Sequence, residues 1–528
     1  MADQNTHEAS AAPVGSLGDK AASGVLWTVL QKWVVRLGGL VTVAILARVL
    51  DPKDFGVVAI AMTVIPLIYL LSDLGFSTYV VQSHDVSPRV LSTAFWYSVS
   101  AGTVLTAGLV LLAPIIGLSF SLPAVVPVLV GLSPAVMFVA LASIPTALLR
   151  RRLAFRALAL QSFVAGALAQ VTAIVIALLG WGVWALILQL LVNQFVVLVF
   201  AWVSSRWRPS FQFSRTQFAD MARFGTKVVA VELIALARFW AETGIVVGAL
   251  GVTALGYLNI AQRLIQATQD LSAAAILPVS TVVFSQISES VGLLRSSYLR
   301  ALELSYVVVM PVMVFVAVGT PLIIPMLFGN QWGPSILPAQ ALAVAGIMTL
   351  GAMLDNGLFY GVGKPGRWLA YAVGIDALTV ATTAFASRYG LSGIAIGFVG
   401  VALLATIVRW VLVGRLVQAP SWLIAKPFAV VSIAGVVSAA GGMGAMSVLG
   451  DAPGIVALII VGVVVLALHL GVVRLVQPAP FREMVDLIKR RLRPPPAAKA
   501  AAESSQADMS EPGMVRWDGL TPMQEHDL

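Results

Sequence analysis

The sequence has no cysteine and little charge of either sign. Without cysteine the chain forms no disulfide bond, no thiolate metal site and no cysteine nucleophile. Its four histidines, at positions 7, 84, 469 and 526, are too scattered for a zinc site, and we expect neither a metal nor a cofactor. Only 11% of the residues are charged, against about 25% in a soluble domain. So few charges cannot cover a water-exposed surface, which excludes a soluble enzyme, a secreted disulfide scaffold and a disordered chain.

Hydrophobic residues make up 59% of the chain and fall into long continuous runs. A bilayer core of about 30 Å needs roughly 20 apolar residues of helix, and by this measure the chain contains about fourteen spans. The runs do not alternate with period two and are about twice as long as a spanning strand, which excludes a transmembrane barrel of strands. We therefore predict an all-α polytopic membrane protein.

Basic residues are unevenly distributed between the predicted loops. The first twenty residues are polar and have no basic region before an apolar core, so we expect a cytoplasmic amino-terminal tail and no cleaved signal peptide. With that end inside, the cytoplasmic loops contain most of the arginines, including those at 150–156 and 206–223. This asymmetry follows the positive-inside rule and predicts that both termini are cytoplasmic. The net charge of +9 is then a property of the loops and does not indicate a nucleic-acid partner.

Two segments of the sequence, 200 residues apart, resemble each other. The residues that recur are Leu50, Gly56, Ile60, Ala61, Leu71 and Ser72, repeated as Leu250, Gly256, Ile260, Ala261, Leu271 and Ser272. Both segments join two consecutive spans, which predicts a duplicated six-helix unit with a pseudo-two-fold axis along the membrane normal and a cavity between the halves. The predicted divisions are a disordered tail at 1–20, lobes at 21–205 and 206–417, two additional helices at 418–478, and a cytoplasmic segment at 479–528.

The segment after the last span places its apolar residues on one helical face. Residues 481–493 have their arginines mostly on the other faces. This pattern is typical of an amphipathic surface helix held by anionic lipid headgroups, and a solvated basic tail is the alternative. The low-complexity composition from residue 494 onward predicts disorder.

The sequence contains no motif of a covalent reaction or of nucleotide hydrolysis. Residues 361–366, GVGKPG, fit the letters GxGxxG, but they lack a preceding strand and a following βα unit, so we interpret them as a tight interhelical turn. Patterns such as GxxxxGK[ST], HExxH and GxSxG do not occur, and no loop is long enough for a catalytic domain. We expect that the protein is not an enzyme.

Ionisable residues inside the predicted spans are the remaining candidates for a site. Each costs several kcal/mol when it faces lipid, so these side chains are expected to face a cavity or one another. The candidate substrate-binding cations are Lys32, Arg36, Arg238 and Arg263. The candidate carboxylates for ion coupling or charge balance are Asp73, Glu232, Glu242 and Asp270.

Spacing along the helix relates some of these residues. Lys32 and Arg36 lie on one face of the first span, where they form an anion-binding wall or, alternatively, extend to the cytoplasmic headgroups. Arg238 and Glu242, also four residues apart, can neutralise each other. Three further charges are expected near the membrane interfaces without a functional role: Asp355, Asp376 and Arg409.

The joins between spans resemble a known family. Residues 46–56, LARVLDPKDFG, are followed by LSDLGF at 71–76 and Val81-Gln82, and together they resemble the opening hairpin of bacterial polysaccharide transporters. These are the Wzx-type lipid-linked oligosaccharide flippases of the multidrug/oligosaccharidyl-lipid/polysaccharide (MOP) superfamily. ALGY at 254–257 with AQR at 261–263 resembles the start of that family's second half. Asp51 and Lys53 depart from the expected Ser-Pro-Glu form, which a solvent-facing turn tolerates.

The resemblance implies two six-helix lobes, two additional helices, and alternating access of a central cationic cavity in the bacterial inner membrane. The implied substrate is an oligosaccharide on a polyprenyl diphosphate, moved from the cytoplasmic to the outer leaflet for cell-surface polysaccharide, lipopolysaccharide or exopolysaccharide biosynthesis. Lys32, Arg36 and Arg263 would supply the cations that a diphosphate needs. Membrane lipids and, as further partners, a polysaccharide polymerase or chain-length and export proteins are implied as well.

Two other functions stay open at this point. A multidrug efflux antiporter of the same superfamily shares the architecture, but recognition of cationic drugs favours an acidic cavity rather than the cations near the amino terminus. A membrane polysaccharide polymerase or glycosyltransferase would need acidic catalytic residues in a large outer loop, and the sequence has no such loop.

Overall fold

The computed structural model describes residues 37–83, 86–119, 122–273, 284, 287, 290–450, 453–478 and 481–482. Throughout these ranges the regular elements are helices and no strand occurs, as predicted. Outside the described residues lie Lys32 and Arg36, the side chain of Asp270, the predicted tail at 1–20, and nearly all of 479–528. The described residues up to Val472 belong to one compact unit, and a second begins at Val473.

Sixteen α-helices of seven residues or more occur in the described ranges. Those before residue 251 are α1 Leu37–Val49, α2 Pro52–Asp73, α3 Phe76–Gln82, α4 Pro88–Ser119, α5 Val125–Arg151, α6 Phe155–Leu178, α7 Trp184–Ser205 and α8 Arg215–Leu250. Those after it are α9 Val252–Ala273, α10 Val291–Phe328, α11 Ile336–Thr349, α12 Gly351–Gly361, α13 Pro365–Ala386, α14 Gly390–Leu416, α15 Ser421–Leu449 and α16 Gly454–Val476. Short 3-10 segments, Asn330–Ser335 and Ser387–Tyr389, precede α11 and α14.

Length and hydropathy identify the spans among these helices. Within the described residues, eleven helices or joined helices are long and apolar enough to cross a membrane. The α9 helix is not among them, because Asn259, Arg263 and a set of glutamines lower its hydropathy. The helices are consistent with about fourteen spans, and that number stays a prediction, as does the division into two six-helix lobes.

Large apolar side chains are exposed on the outer faces of several of the spanning helices. Val104 and Leu111 on α4 are 70% and 75% exposed, and Val171 on α6 and Val463 on α16 are 58% and 61% exposed. In a soluble monomer, contiguous exposed apolar surface of this kind marks a binding site. On helices with the length and hydropathy of a membrane span it is the surface that faces lipid.

The starts of α2 and α9 cross with their backbones in direct contact. A side-chain carbon at Gly56 would collide with the carbonyl oxygen of Val252, and one at Gly256 would collide with the carbonyl oxygen of Pro52. The two contacts are related by the same 200-residue offset as the repeated segments, so each segment supplies the other with an equivalent contact. Glycine permits this close approach because it has no side chain.

At its other end, α2 stops in a tight turn that also meets α8. Leu74 and Gly75 have positive φ angles of 46° and 71° and separate α2 from the short helix α3. The hydroxyl of Tyr97 donates a hydrogen bond to the carbonyl of Leu71 just before the turn, at 3.2 Å. Gly225 of α8 lies directly against the carbonyl oxygen of Leu74. The backbone of α2 is therefore in contact with α9 at its start and with α8 at its end.

Candidate functional site

A cavity of about 480 Å³ lies among α8, α9, α11, α13 and α14. This volume falls in the range of about 300–1,000 Å³ that is typical of sites for small molecules. Its polar wall consists of Arg238 and Glu242 from α8, Gln262, Arg263, Gln266 and Gln269 from α9, and the hydroxyls of Thr349 and Thr379. The structure thus brings three of the predicted site residues, Arg238, Glu242 and Arg263, to one cavity.

Arg238 is shared between two carboxylates in this cavity wall. Its Nη1 atom lies 3.0 Å from Oε1 of Glu242, at the i,i+4 spacing noted in the sequence, and its Nε atom lies 3.1 Å from Oδ1 of Asp376 on α13. Asp376 was expected near an interface without a role, but it forms part of this cluster because α13 packs beside α8. The positive charge of Arg238 is therefore already compensated within the protein.

Arg263 has a different environment, although it lines the same cavity. Its Nε atom donates to Oδ1 of Asn259 at 2.8 Å, and its guanidinium lies 5.8 Å from the centre of the Phe55 ring. In the part of the chain that the structure describes, no carboxylate forms an ion pair with it. A guanidinium held in a membrane-embedded cavity without a carboxylate is suited to bind an anionic ligand.

A second cavity, of about 310 Å³, lies among helices of residues 69–197. Asp73 faces it, where it accepts hydrogen bonds from the Ser77 hydroxyl at 2.7 Å and from the hydroxyl of Ser143. Thr146 and Gln194 complete a wall rich in oxygen atoms. Asp73 is thus separate from the cluster around Arg238, and Glu232, which is exposed on α8, lines neither cavity.

Side chains join α1 to the segment between α10 and α11. The guanidinium of Arg48 donates to the carbonyls of Leu327, at 3.2 Å, and Met326. In the opposite direction, the indole N–H of Trp332 donates to the carbonyl of Ala47 at 2.7 Å. We call these five residues the α1 clasp: the donors Arg48 and Trp332 and the carbonyl partners Ala47, Met326 and Leu327. Arg48, interpreted from sequence as part of the hairpin architecture, therefore contacts a segment nearly 280 residues later.

The sequence pattern of the polysaccharide biosynthesis protein family matches residues 45–337, more than half of the chain. The chain belongs to this family. A succinoglycan biosynthesis transport protein of Rhizobium meliloti, ExoT, is 28% identical over 61% of the chain and 64% of its own length. The lipopolysaccharide biosynthesis protein WzxC of Escherichia coli is 26% identical over 63% of the chain and 68% of its own length. The alignments thus span about two thirds of these relatives.

Solved structures share the fold at low sequence identity. The lipid II flippase MurJ in an inward closed conformation has a TM-score of 0.68 and 13% identity, and the match covers 87% of this chain and all of MurJ. An inward-facing multidrug resistance transporter of the MATE family, in the MOP superfamily, has a TM-score of 0.60 and 18% identity over 73% of this chain and 98% of its own. The family match confirms the resemblance of the LARVLDPKDFG segment to bacterial polysaccharide transporters. Its many long apolar helices make this family member a multi-pass membrane protein.

One buried cluster of charges in this family member was not predicted from the sequence. Asp355 and Arg409, expected near the membrane interfaces, are only 1% and 3% exposed and form an ion pair of 3.2 Å. Tyr298 donates to the other oxygen of Asp355 at 2.5 Å. The guanidinium of Arg409 also donates to the carbonyl of Thr349, at 3.3 Å, where α11 ends before α12 begins. The cluster forms because the break between these helices frees carbonyl groups that need a donor.

The glutamines of the cavity were not among the site residues predicted from the sequence. Gln262, Gln266 and Gln269 are uncharged, whereas the predicted site residues are all ionisable. The signal that reveals them is spacing, because positions i, i+4 and i+7 share one helical face. Their presence explains the low hydropathy of α9 in a chain whose other helices are strongly apolar.

Proposed function

We propose that this protein moves an oligosaccharide linked to a polyprenyl diphosphate from the cytoplasmic to the outer leaflet of the bacterial inner membrane. Transport of this kind is in keeping with the names of its relatives, a succinoglycan biosynthesis transport protein and a lipopolysaccharide biosynthesis protein. The observation that carries the proposal is Arg263, a cavity arginine with no carboxylate partner among the described residues.

The chemistry of Arg263 favours an anionic ligand with several oxygen atoms. A guanidinium binds phosphate through parallel, charge-assisted hydrogen bonds, and exclusion of water by the surrounding helices strengthens them. Lys32 and Arg36 of the first span are proposed to add positive charge for the same diphosphate. The polyprenyl tail would stay in lipid while the hydrated head group crosses through the protein, which avoids the cost of moving charge through hydrocarbon.

The two alternative functions fit the described cavity less well. A cationic drug needs a carboxylate that is available to pair with it, whereas Glu242 and Asp376 both contact Arg238. A polymerase needs a catalytic constellation, and the polar cavity wall consists mainly of amides, hydroxyls and arginines. We propose that the protein breaks and makes no covalent bond.

The transport step is proposed to draw its energy from an ion gradient or the membrane potential. The potential acts at about 2.3 kcal/mol per charge for each 100 mV. Asp73 in its oxygen-rich cavity and Glu242 beside Arg238 are the proposed coupling carboxylates, and Glu232 and Asp270 are proposed to balance charge. Membrane lipids, a polysaccharide polymerase and chain-length or export proteins are the proposed partners.

The decisive experiment measures transport by purified protein in sealed liposomes that contain a polyprenyl-diphosphate oligosaccharide. Arrival of the unchanged lipid in the far leaflet without ATP is expected, and a lengthened glycan or an absolute need for ATP would contradict the proposal. Arg263→Gln should reduce transport at least tenfold. Arg388→Gln is the matched control, because Arg388 also lies over a phenylalanine ring, at 5.9 Å, but does not line the cavity.

A second experiment tests the proposed role of the first span. Replacement of Lys32 and Arg36 together by Gln should remove binding of the lipid-linked substrate while the protein still inserts into the membrane. If both side chains merely extend to the headgroups, the double variant should bind and export the lipid-linked substrate normally. That result would contradict the proposed anion-binding role of Lys32 and Arg36.

A further inference from the structure

A stripe of glutamines runs along the cavity face of α9. Gln262, Gln266 and Gln269 occupy positions i, i+4 and i+7 of this helix, so their side chains point to one side, and all line the cavity of about 480 Å³. We call these three residues the glutamine stripe. Ile260 and Leu264, on the opposite side of α9, are buried in the hydrophobic core, which fixes the rotation of the helix and keeps the stripe towards the cavity.

The chemistry of the stripe differs from that of Arg263 beside it. A glutamine amide carries both a donor and an acceptor but no charge, so it cannot neutralise a phosphate or hold a proton near neutral pH. It matches a hydroxyl, which also donates and accepts a hydrogen bond. The hydroxyls of Thr349 and Thr379 on neighbouring walls donate to carbonyls of their own helices and leave oxygen atoms that can accept a hydrogen bond, and the rings of Phe239 and Phe398 supply apolar faces.

Uncharged amides, hydroxyls and aromatic faces together are complementary to a saccharide ring, which has hydroxyls at its edge and C–H groups on its faces. In a chain with 59% hydrophobic residues, one helix thus presents a face of uncharged amides to this cavity, and a polar ligand that enters the cavity meets their donors and acceptors.

We propose that the glutamine stripe binds the glycan of the substrate and determines which glycan is carried, whereas Arg263 binds the phosphate. This inference rests on the proposed function. It divides one cavity into two parts: a cationic part near Asn259 and Phe55, which is common to any polyprenyl diphosphate, and an amide part along residues 266–269, which discriminates between head groups.

The test compares the binding of two lipids to the full-length protein in nanodiscs. One is undecaprenyl diphosphate without sugar, and the other is the undecaprenyl-diphosphate oligosaccharide extracted from the cells that make the polysaccharide. The wild-type protein should bind the oligosaccharide lipid at least tenfold more tightly. The double variant Gln266→Leu/Gln269→Leu should lose that preference, while its affinity for the sugar-free lipid stays unchanged and shows that the variant is folded.

Two variants make the outcomes distinguishable. Arg263→Gln should weaken the binding of both lipids equally. Gln82→Leu makes the same substitution at an exposed position at the end of α3, outside both cavities, and should change neither affinity. Equal losses for both lipids in the stripe variant, or no loss for either, would overturn the division into two parts while the proposed function stands. If the wild-type protein binds neither lipid, the proposed function fails and the inference fails with it.

Discussion

The ion pair between Asp355 and Arg409 lends itself to a quantitative test. The substitution Asp355→Asn keeps the shape of the side chain and an oxygen that accepts from Tyr298, but it removes the charge that faces Arg409. A buried pair that loses one partner typically costs about 3–5 kcal/mol, because the remaining charge is left uncompensated. Arg409 retains the carbonyls of Met348 and Thr349 at 3.3 Å, so we expect the lower end, about 3 kcal/mol.

The assay is equilibrium unfolding in mixed micelles, followed through the fluorescence of the 13 tryptophans. Asp355→Asn and Arg409→Gln should each destabilise the protein, and the double variant should lose less than the sum of the two. The difference measures the coupling between the residues, expected at about 1–3 kcal/mol. If Asp355→Asn costs less than about 1 kcal/mol, as for a neutral hydrogen bond, and the two effects add, the pair does not stabilise the break between α11 and α12.

Three further predictions concern the helix crossing, the α1 clasp and the topology. Gly56→Ala should destabilise the protein by at least about 1–3 kcal/mol, because the new methyl group meets the carbonyl oxygen of Val252. Gly108→Ala is the control: a methyl group there meets no atom within 4 Å, so this variant should be neutral or stabilising in the same unfolding assay. Trp332→Phe keeps the ring near Phe55 but loses the hydrogen bond to Ala47, which is fully buried. A cysteine at position 47 should then react several times faster with an impermeant maleimide added outside, and an unchanged rate would show that this hydrogen bond does not keep position 47 buried. A single cysteine at Arg156, in this otherwise cysteine-free chain, should be labelled from the cytoplasmic side alone, and labelling from outside would reverse the predicted topology.

The sequence predicted most of the helical fold because a lipid environment leaves few choices. Long apolar runs must form helices to satisfy their backbone groups, and no competing structure is available in hydrocarbon. The same argument says nothing about where a span breaks inside the protein. The interruption at Leu350 lies within an apolar run and carries no proline. The carbonyls just before it accept hydrogen bonds from Arg409, which is 59 residues further along the chain.

The candidate site was predictable only where charge marked it. Arg238, Glu242 and Arg263 could be found because an ionisable residue in a span requires an explanation. Asp376 escaped this reasoning, because a single charge in a helix of 22 residues looks the same in sequence whether it faces lipid headgroups or an arginine on another helix. Packing of α13 against α8 decides between these environments, and packing of helices distant in sequence is not encoded in local spacing.

The glycine contacts at the two ends of α2 affect how the protein would respond to its solution conditions. Gly256 and Gly225 touch backbone carbonyls, and neither contact includes a group that titrates or carries a net charge. Separation of the helices at either end should therefore depend weakly on ionic strength and on pH, in contrast to an interface held by salt bridges. If transport responds steeply to salt or to a proton gradient, that response has to arise in the charged cavities rather than at these contacts.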